Sequence, residues 1–239
     1  MTSDDARLYA DGPDLASLAA LLADRTRAAF CLALLDGRAW TAADLARHAG
    51  VAPSTATSHL HRLVAGGLVA EERRGRHRFV HLAGPDTAEM IESLAVHAPR
   101  HPVPVRSLTD DRRRRALSYA RTCYDHLAGE LGVAVTDAMT ARAFLAWDYG
   151  PALTAEGAAW LRDLGVADVH PAGPRHAHVR TCVDWTEQRP HLAGAVGAAL
   201  FRHALDSGWL TRRGTTRIVT PTPAGRAALH HHLGLTTPA

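Results

Sequence analysis

The clearest pattern along the chain lies between Trp40 and Leu82, where short apolar stripes alternate with turn residues. Apolar side chains recur at helical spacing, which predicts one helix over residues 42–48 and a second over residues 54–65. Two short strand-like runs follow, at residues 68–70 and 78–82, and an arginine-rich turn joins them. This segment is therefore expected to fold as two helices followed by a hairpin.

Residues typical of helix ends and turns support these boundaries. Thr41 with Asp44 has the spacing of a capping box at the start of the first helix, and Gly50 suits a left-handed residue at its end. Ser54 is expected to cap the second helix, and Gly75 is suited to the tip of the hairpin. The turn between the two helices is consequently only a few residues long.

Polar side chains populate the outer face of the second helix, opposite the apolar stripe of Leu60, Leu63 and Val64. Hydroxyls, a histidine and an arginine on one face suit a DNA groove, where short donors reach base edges and a cation meets phosphate or guanine. A solvated face on an ordinary helix is the simpler interpretation, but the neighbouring helix and the basic hairpin together predict a winged helix-turn-helix. The candidate DNA-binding residues are Ser54, Thr55, Thr57, Ser58, His59 and Arg62 in the helix and Arg74, Arg76 and Arg78 in the hairpin.

Helical patterns also flank this segment. Two precede it, the second of them with Asp24 as its expected cap, and one follows it from Pro85. The proline-rich stretch at residues 98–108 has no periodicity and is interpreted as a linker. We therefore expect a mainly α chain with small β-hairpins: a winged helix-turn-helix domain over residues 1–97 and a helical C-terminal sensing or assembly domain over residues 109–239.

The second half of the chain is mostly helical in pattern. A single long helix is predicted over residues 110–132, and an apolar helix over residues 190–208. A hairpin around Gly214 and a final helix complete the chain. This order of helix, hairpin and helix resembles a degenerate second winged helix, whose central helix is too rich in Ala, Val, Leu and Gly to contact bases.

A near-repeat marks the same half. RTCYDHLAG at residues 121–129 is echoed by RTCVD at residues 180–184 and by HLAG at residues 191–194, so each copy offers a thiol, a carboxylate and an imidazole. On a helix, Cys123 and His126 are three residues apart and share a face. Together with the second copy they would form a Cys₂His₂ set, and the candidate sensor or metal site is therefore Cys123, His126, Cys182 and His191.

Four interpretations of that candidate site stay open. The side chains pack in a core, bind zinc or another thiophilic metal, form a redox pair of thiols, or line a polar pocket for a small molecule. The spacing of the residues does not choose among them. No cofactor is therefore certain from the sequence, and zinc is one of several candidates.

Composition and charge limit the class of protein. The chain has 239 residues and a net charge of +3, and all 27 cationic residues are arginine, which we attribute to compositional bias of the genome. No apolar run approaches the roughly 20 residues that cross a bilayer, and the acidic N-terminus is unlike a secretory signal. We expect a cytoplasmic protein without a membrane partner, in which three cysteines do not build a disulfide framework.

The segments DRTRAAFCLALLDG, STATSHL and LVAEERRGRHRF resemble the ArsR/SmtB-type winged helix-turn-helix transcriptional regulators, over about residues 14–97. The resemblance implies a homodimer that binds an inverted-repeat operator in double-stranded DNA and represses transcription until an inducer arrives. It also implies DNA contacts for the helix and hairpin residues named above. The C-terminal domain is additional to this match.

The chain departs from the metal-sensing members of that family. Their Cys-x-Cys type of cluster has no counterpart in the helix over residues 42–48, and Asp86, Glu89 and His97 form no compact set after the hairpin. The signal, whether ligand, metal or redox, is therefore expected to act on the C-terminal half. Two rival hypotheses remain: a metal-binding hydrolase-like enzyme, which lacks any GxGxxG, P-loop, HExxH or GxSxG motif, and a C-terminal domain that serves oligomerisation alone. We expect no enzymatic activity.

Overall fold

The computed structural model describes residues 12–100, 108–166, 169 and 178–238, in two compact units that divide between Thr87 and Ala88. Most of the expected linker over residues 98–108 falls outside the described residues, so the domain boundary inferred from the sequence stays a prediction. Among the described helices, none combines the length and the apolar character that crossing a membrane requires.

The first unit is a helical domain with a small antiparallel sheet. Its elements are α1 (Leu15–Leu22), α2 (Arg25–Leu34), β1 (Trp40–Thr41), α3 (Ala42–Ala49), α4 (Pro53–Ala65), β2 (Val69–Arg74) and β3 (His77–Leu82). The strands lie in the order β1-β3-β2, and β2 and β3 form a hairpin whose tip is Gly75, at a positive φ of 60°.

Several expected helix ends are confirmed. The Asp24 side chain accepts hydrogen bonds from the first turn of α2, and Thr41 with Asp44 forms a complete capping box on α3. Gly50 ends α3 in the left-handed conformation, with φ 71°. The prediction that Ser54 caps α4 was wrong: the N-cap is Ala52, two residues earlier, and Pro53 occupies the first helical position, where its missing N–H costs nothing. Ser54 therefore lies inside the first turn of the helix.

Strand β1 was not predicted, because two residues are too few to show a period. Trp40 pairs with Val80 of β3, and its ring is almost fully buried beneath the Arg38 guanidinium, which lies 3.5 Å from the ring centre. The indole N–H donates a hydrogen bond of 3.1 Å to Asp36. Because β1 pairs with β3 and runs directly into α3, it holds the base of the β2–β3 hairpin next to the start of that helix.

In the second unit, the same short motif occurs twice. A two-stranded antiparallel hairpin, a helix, another hairpin and a helix follow one another in each copy. The first copy is β4 (Arg121–Cys123), β5 (His126–Ala128), α7 (Glu130–Ala141), β6 (Leu145–Ala146), β7 (Ala152–Leu153) and α8 (Ala155–Asp163), and the second is β8 (Arg180–Val183), β9 (Pro190–Ala193), α9 (Gly194–Asp206), β10 (Leu210–Arg212), β11 (Val219–Pro221) and α10 (Pro223–Leu233). Before them come α5 (Pro85–His97), which starts in the first unit, and α6 (Leu108–Tyr119).

Matching hydrogen bonds show that the two copies are built alike. Thr154 caps α8 by accepting from Gly157 N–H, and Thr222 caps α10 by accepting from Gly225 N–H in the same way. Each threonine hydroxyl also donates 2.7 Å back to a main-chain carbonyl before its hairpin. The expected order of helix, hairpin and helix at the end of the chain is present, as one of two such copies.

The predicted single helix over residues 110–132 was wrong. Helix α6 ends at Tyr119, and the RTC and HLA segments pair as a hairpin that turns at Tyr124, which has a positive φ of 57°. The apolar helix of the second copy likewise begins at Gly194, because the preceding HLA segment is a strand. Cross-strand pairing within these hairpins overrides helix propensity, and strands of three or four residues are too short to show a period.

Two glycines allow the central helices to approach these hairpins. A Cβ atom on Gly132 of α7 would lie 2.6 Å from the Leu127 carbonyl oxygen, and one on Gly197 of α9 would lie 2.7 Å from the Leu192 carbonyl oxygen. Real Cβ atoms do not approach a carbonyl oxygen so closely, so both positions require glycine. The two glycines occupy equivalent places in the two copies.

We predict that Gly132→Ala lowers the free energy of unfolding by about 1–3 kcal/mol, because the added methyl group overlaps a backbone oxygen that has no room to retreat. Denaturant titration followed by circular dichroism measures the change. Gly84→Ala is the matched control, since its added Cβ meets nothing within 4 Å. Equal stability of the two variants would contradict the close approach.

Candidate functional site

The outer face of α4 carries the first group of predicted site residues. The apolar face of the helix is buried through Ala56, Leu60 and Leu63. His59 turns toward α2, with its Nδ1 atom 3.6 Å from an Asp24 carboxylate oxygen and 3.4 Å from an Arg27 guanidinium nitrogen. The other predicted residues of this helix all point to solvent: Ser54, Thr55, Thr57, Ser58 and Arg62.

The arginines of the β2–β3 hairpin are exposed and partly paired with glutamates of the same hairpin. Arg74 donates to both carboxylate oxygens of Glu72, at 2.9 and 2.8 Å, and Arg78 lies 2.6 Å from Glu71. Arg76 is exposed beside the tip. Exposed ion pairs contribute only about 0–1 kcal/mol, so a DNA phosphate can replace these glutamates at little cost. Helix α4 and the hairpin thus present hydroxyls and cations together.

A second group of predicted residues converges in the second unit. One donor atom from each of Cys123, His126, Cys182 and His191 lies within 4.8 Å of the other three. Cys123 faces His126 across the β4–β5 hairpin, and Cys182 faces His191 across the β8–β9 hairpin. The sequence therefore identified the four residues that meet, although cross-strand pairing, and not a shared helix face, brings each pair together.

The two imidazoles point at each other. Their Nε2 atoms are 3.2 Å apart, and both rings are almost fully buried. On the outer side, His126 Nδ1 lies 3.1 Å from an Asp125 carboxylate oxygen. His191 Nδ1 lies 3.5 Å from Asp184, at ion-pair distance but without hydrogen-bond geometry to any described residue. Each ring therefore has a carboxylate behind it and the other ring in front.

The imidazole pair carries at most one positive charge. Burial opposes a charge on His126, but hydrogen bonds with Asp125 and Cys123 outweigh it and raise the pKa of His126 to about 9. Burial and the neighbouring cationic His126 lower the pKa of His191 to about 3. The pair therefore excludes a second positive charge of its own and leaves one Nε2 lone pair unprotonated.

The thiols differ in exposure. Cys123 is buried, and its Sγ lies 3.6 Å from a Glu92 carboxylate oxygen, whereas Cys182 is half-buried. A hydrogen bond between the two thiols, together with burial, raises the pKa of Cys123 far above its usual range, and the same hydrogen bond lowers the pKa of Cys182. Cys31 lies apart in the first unit, where burial raises its pKa to about 11. It is packed in the core, as expected of a small hydrophobe.

Buried charges surround the cluster, and the sequence did not single them out. Arg121 donates 3.0 and 2.9 Å hydrogen bonds to the two carboxylate oxygens of Asp184, which also accepts 2.7 Å from Gly129 N–H. Burial alone would raise the pKa of Asp184, but Arg121 and these hydrogen bonds hold it well below its usual range. Glu92 of α5 accepts from Trp185 and Arg217. The repeated RTC and the CVDW segment contain Arg121 and Asp184 and are the signals that point to these two residues, whereas Glu92 lies outside both segments.

Comparison with known proteins gives several likenesses. A helix-turn-helix domain family matches residues 22–72. The uncharacterized HTH-type transcriptional regulator YdfF of Bacillus subtilis (strain 168) is 38% identical over 224 residues, which cover 93% of this chain and 98% of YdfF.

Solved structures are similar over less than half of the chain. The cadmium metal-sensor CMTR of Mycobacterium tuberculosis is 34% identical, over 39% of this chain and 98% of its own, with a TM-score of 0.31. The homodimeric winged helix-turn-helix domain of Mb0332 from Mycobacterium bovis, a possible ArsR-family transcriptional regulator, is 25% identical, over 43% and 97%, with a TM-score of 0.33. At these TM-scores the likenesses carry no functional argument.

The cysteines give a test of the geometry in solution. We predict that iodoacetamide modifies Cys182 of the reduced, chelator-treated protein several-fold faster than Cys31, because Cys182 is half-buried with a lowered pKa and Cys31 is buried with a raised one. Peptide mass spectrometry after timed quenching measures the rates. In urea the three cysteines should react alike, and equal rates in the folded protein would contradict the burial seen here.

Proposed function

Since this chain belongs to the helix-turn-helix transcriptional regulators, as the similarity to YdfF over nearly its whole length shows, we propose that it is a dimeric repressor of transcription. It binds an inverted-repeat operator through α4 and the β2–β3 hairpin, and a signal acting on the second unit releases it. The solvent-facing hydroxyls and arginine of α4, next to a basic hairpin, are the observation that carries this proposal.

Helix α4 enters the major groove in this proposal. Its exposed face carries small hydroxyls near its start and Arg62 near its end, so short donors lie over base edges while the arginine reaches guanine or phosphate. Pro53, at the first helical position, has no backbone N–H group. The remaining N–H groups of the first turn have no side-chain cap and are suited to bind a phosphate. His59, which lies against Asp24, contributes through its exposed edge.

The hairpin contacts the sugar-phosphate backbone. Four arginines crowd its tip, and two of them are held by glutamates only through exposed ion pairs. Arg73, which the sequence analysis left out of the DNA-binding set, is exposed there as well and joins the proposed phosphate contacts. Such contacts fix the position of the protein on the duplex and carry little sequence information.

A dimer follows from the size of the recognition element. One helix of 13 residues covers only a few base pairs, and two copies related by a twofold axis contact two half-sites about 34–36 Å apart. The half-sites are then inverted repeats of each other, because the symmetry of the operator mirrors that of the protein.

The signal acts on the Cys123, His126, Cys182 and His191 cluster of the second unit. A thiophilic metal, a thiol oxidant and a small inducer are the three kinds of signal that such a cluster can accept. The mixed sulfur and nitrogen donor set, in which two imidazole nitrogens face each other, favours a thiophilic metal. This is the interpretation developed in the next subsection.

Two arginine variants test whether α4 contacts the bases and the β2–β3 hairpin contacts the phosphates. Arg62→Ala should weaken binding to the protein's own upstream DNA by about 1–3 kcal/mol per lost base contact and reduce discrimination against scrambled DNA. Arg76→Ala should weaken binding to both DNAs to a similar extent. Fluorescence anisotropy with labelled duplexes measures both effects. Arg162→Ala, which removes an exposed arginine from the second unit, is the matched control and should bind as the wild type does.

Salt dependence gives an independent measure of the hairpin contacts. If each hairpin of a dimer places three or four arginines on phosphates, log K against log salt has a slope of about −5 to −7. Arg76→Ala should make that slope shallower by about 2, since both copies lose one contact. Binding that is independent of salt, or absent on any upstream fragment, would contradict the proposal.

A further inference from the structure

We propose that Cys123, His126, Cys182 and His191 form a closed, four-coordinate site for one zinc-like, thiophilic divalent cation per chain. The inference deepens the proposed function, because it names the class of ion that the second unit binds. It rests on the proposed function only for the use of the site as a sensor. Binding of the ion can be measured without DNA.

The separation of the two imidazoles fits this coordination. In tetrahedral zinc sites the metal–nitrogen distance is about 2.0–2.1 Å, which places two nitrogen ligands about 3.3 Å apart. The His126 and His191 Nε2 atoms are 3.2 Å apart. The two thiols complete the set within 4.8 Å, so sub-ångström side-chain shifts are enough to bring all four atoms onto one ion.

The outer partners of the imidazoles leave their inner nitrogens as electron-pair donors. A carboxylate accepts hydrogen bonds and donates none, so Asp125 favours the hydrogen on Nδ1 of His126. Asp184 lies 3.5 Å from Nδ1 of His191 without hydrogen-bond geometry, and its negative charge favours the hydrogen on that nitrogen electrostatically. Two Nε2 lone pairs that face each other at 3.2 Å repel unless a proton or a metal lies between them. Carboxylates behind metal-bound histidines are the usual outer contacts of zinc sites.

The donor types select the class of ion. Thiolates and imidazoles suit zinc, cadmium and cobalt, whereas magnesium and calcium take oxygen ligands. Two of the neighbouring carboxylates already have cationic partners, since Asp184 is bound by Arg121 and Glu92 by Arg217, and the third, Asp125, faces the outer nitrogen of His126. Two thiolates neutralise a divalent ion, so the buried site carries no net charge once it is filled.

The four ligands come in equal shares from the two copies of the repeat. A Cβ atom added to Gly132 of α7 would lie 3.7 Å from the Cβ atom of His191. A Cβ atom added to Gly197 of α9 would lie 3.4 Å from the Cβ atom of His126. Each copy's helix therefore packs against the other copy's ligand. An ion held here cross-links the two copies, and four protein ligands leave no open position for a substrate, which is typical of structural and regulatory sites and not of hydrolases.

Cobalt titration of the reduced, metal-free, full-length protein tests the site. We expect one equivalent of Co²⁺ per chain to give the intense visible bands of tetrahedral cobalt and a near-ultraviolet band from sulfur-to-cobalt charge transfer. One equivalent of Zn²⁺ should remove both. Cys123→Ser or Cys182→Ser should lower the charge-transfer band by about half or abolish binding, and His191→Ala should abolish the tetrahedral spectrum.

Two control variants test whether cobalt binds at other cysteine or histidine side chains. Cys31→Ser changes the remaining cysteine, and His230→Ala changes the exposed histidine run near the C-terminus; both should titrate as the wild type does. Circular dichroism checks that each variant is folded. As a second readout, Zn²⁺ at 100 times its Kd should raise the stability of the wild type and of Cys31→Ser by about 2.7 kcal/mol, and leave Cys123→Ser nearly unchanged.

The outcomes separate this inference from the proposed function. A spectrum without sulfur-to-cobalt charge transfer, one that is unchanged in Cys123→Ser, or one that is lost in His230→Ala would overturn the site. A disulfide between Cys123 and Cys182 that forms in air and is indifferent to zinc would overturn it in favour of a redox pair. Tight operator binding by a protein that takes up no cobalt refutes the site and leaves the proposed function standing.

Discussion

The buried ion pair between Arg121 and Asp184 is the constraint on which the second unit depends. Both side chains are about 1% exposed or less, and each comes from a different copy of the repeat. A buried charge is tolerated only when its partner is in place, so the pair fixes the register of the two copies. Asp184 also accepts from Gly129 N–H at the start of α7 and lies behind His191, so the same carboxylate orients the helix and the candidate ligand.

Buried charged and polar side chains around the cluster contact one another, and this network holds the hairpin strands that carry the four cluster residues. Glu92 accepts from Trp185 and Arg217, and its other oxygen lies 3.6 Å from Cys123 Sγ. Glu92 belongs to α5, a helix that begins at Pro85 in the first unit and continues into the second. Cys123 therefore contacts α5 through Glu92, within the second unit.

Local signals made the first unit largely predictable. Asp24, Thr41, Asp44 and Gly50 act at helix ends through contacts with their own neighbours in sequence, so their roles are readable without the fold. The exception, Ser54, shows that a proline at the first helical position outweighs a good capping residue next to it. The exposed face of α4 followed from periodicity alone.

The second unit was less predictable because its two copies, which are far apart in sequence, contact each other through buried side chains. The repeat of Cys and His was visible, and it named the four residues that converge, but a helix was inferred where the hairpins form. Arg121, Asp184 and Glu92 were missed, since charged residues are expected at the surface and only the fold shows that they are buried with their partners.

The most direct test of the account is the affinity of the full-length protein for its upstream operator, measured by fluorescence anisotropy with and without one equivalent of Zn²⁺. The account predicts that zinc weakens binding by about 5–150-fold, the range of a coupling free energy of 1–3 kcal/mol, and that Cys123→Ser binds the operator without responding. Unchanged operator affinity in a wild-type protein that has demonstrably taken up zinc would contradict the claim that the second unit senses the ion.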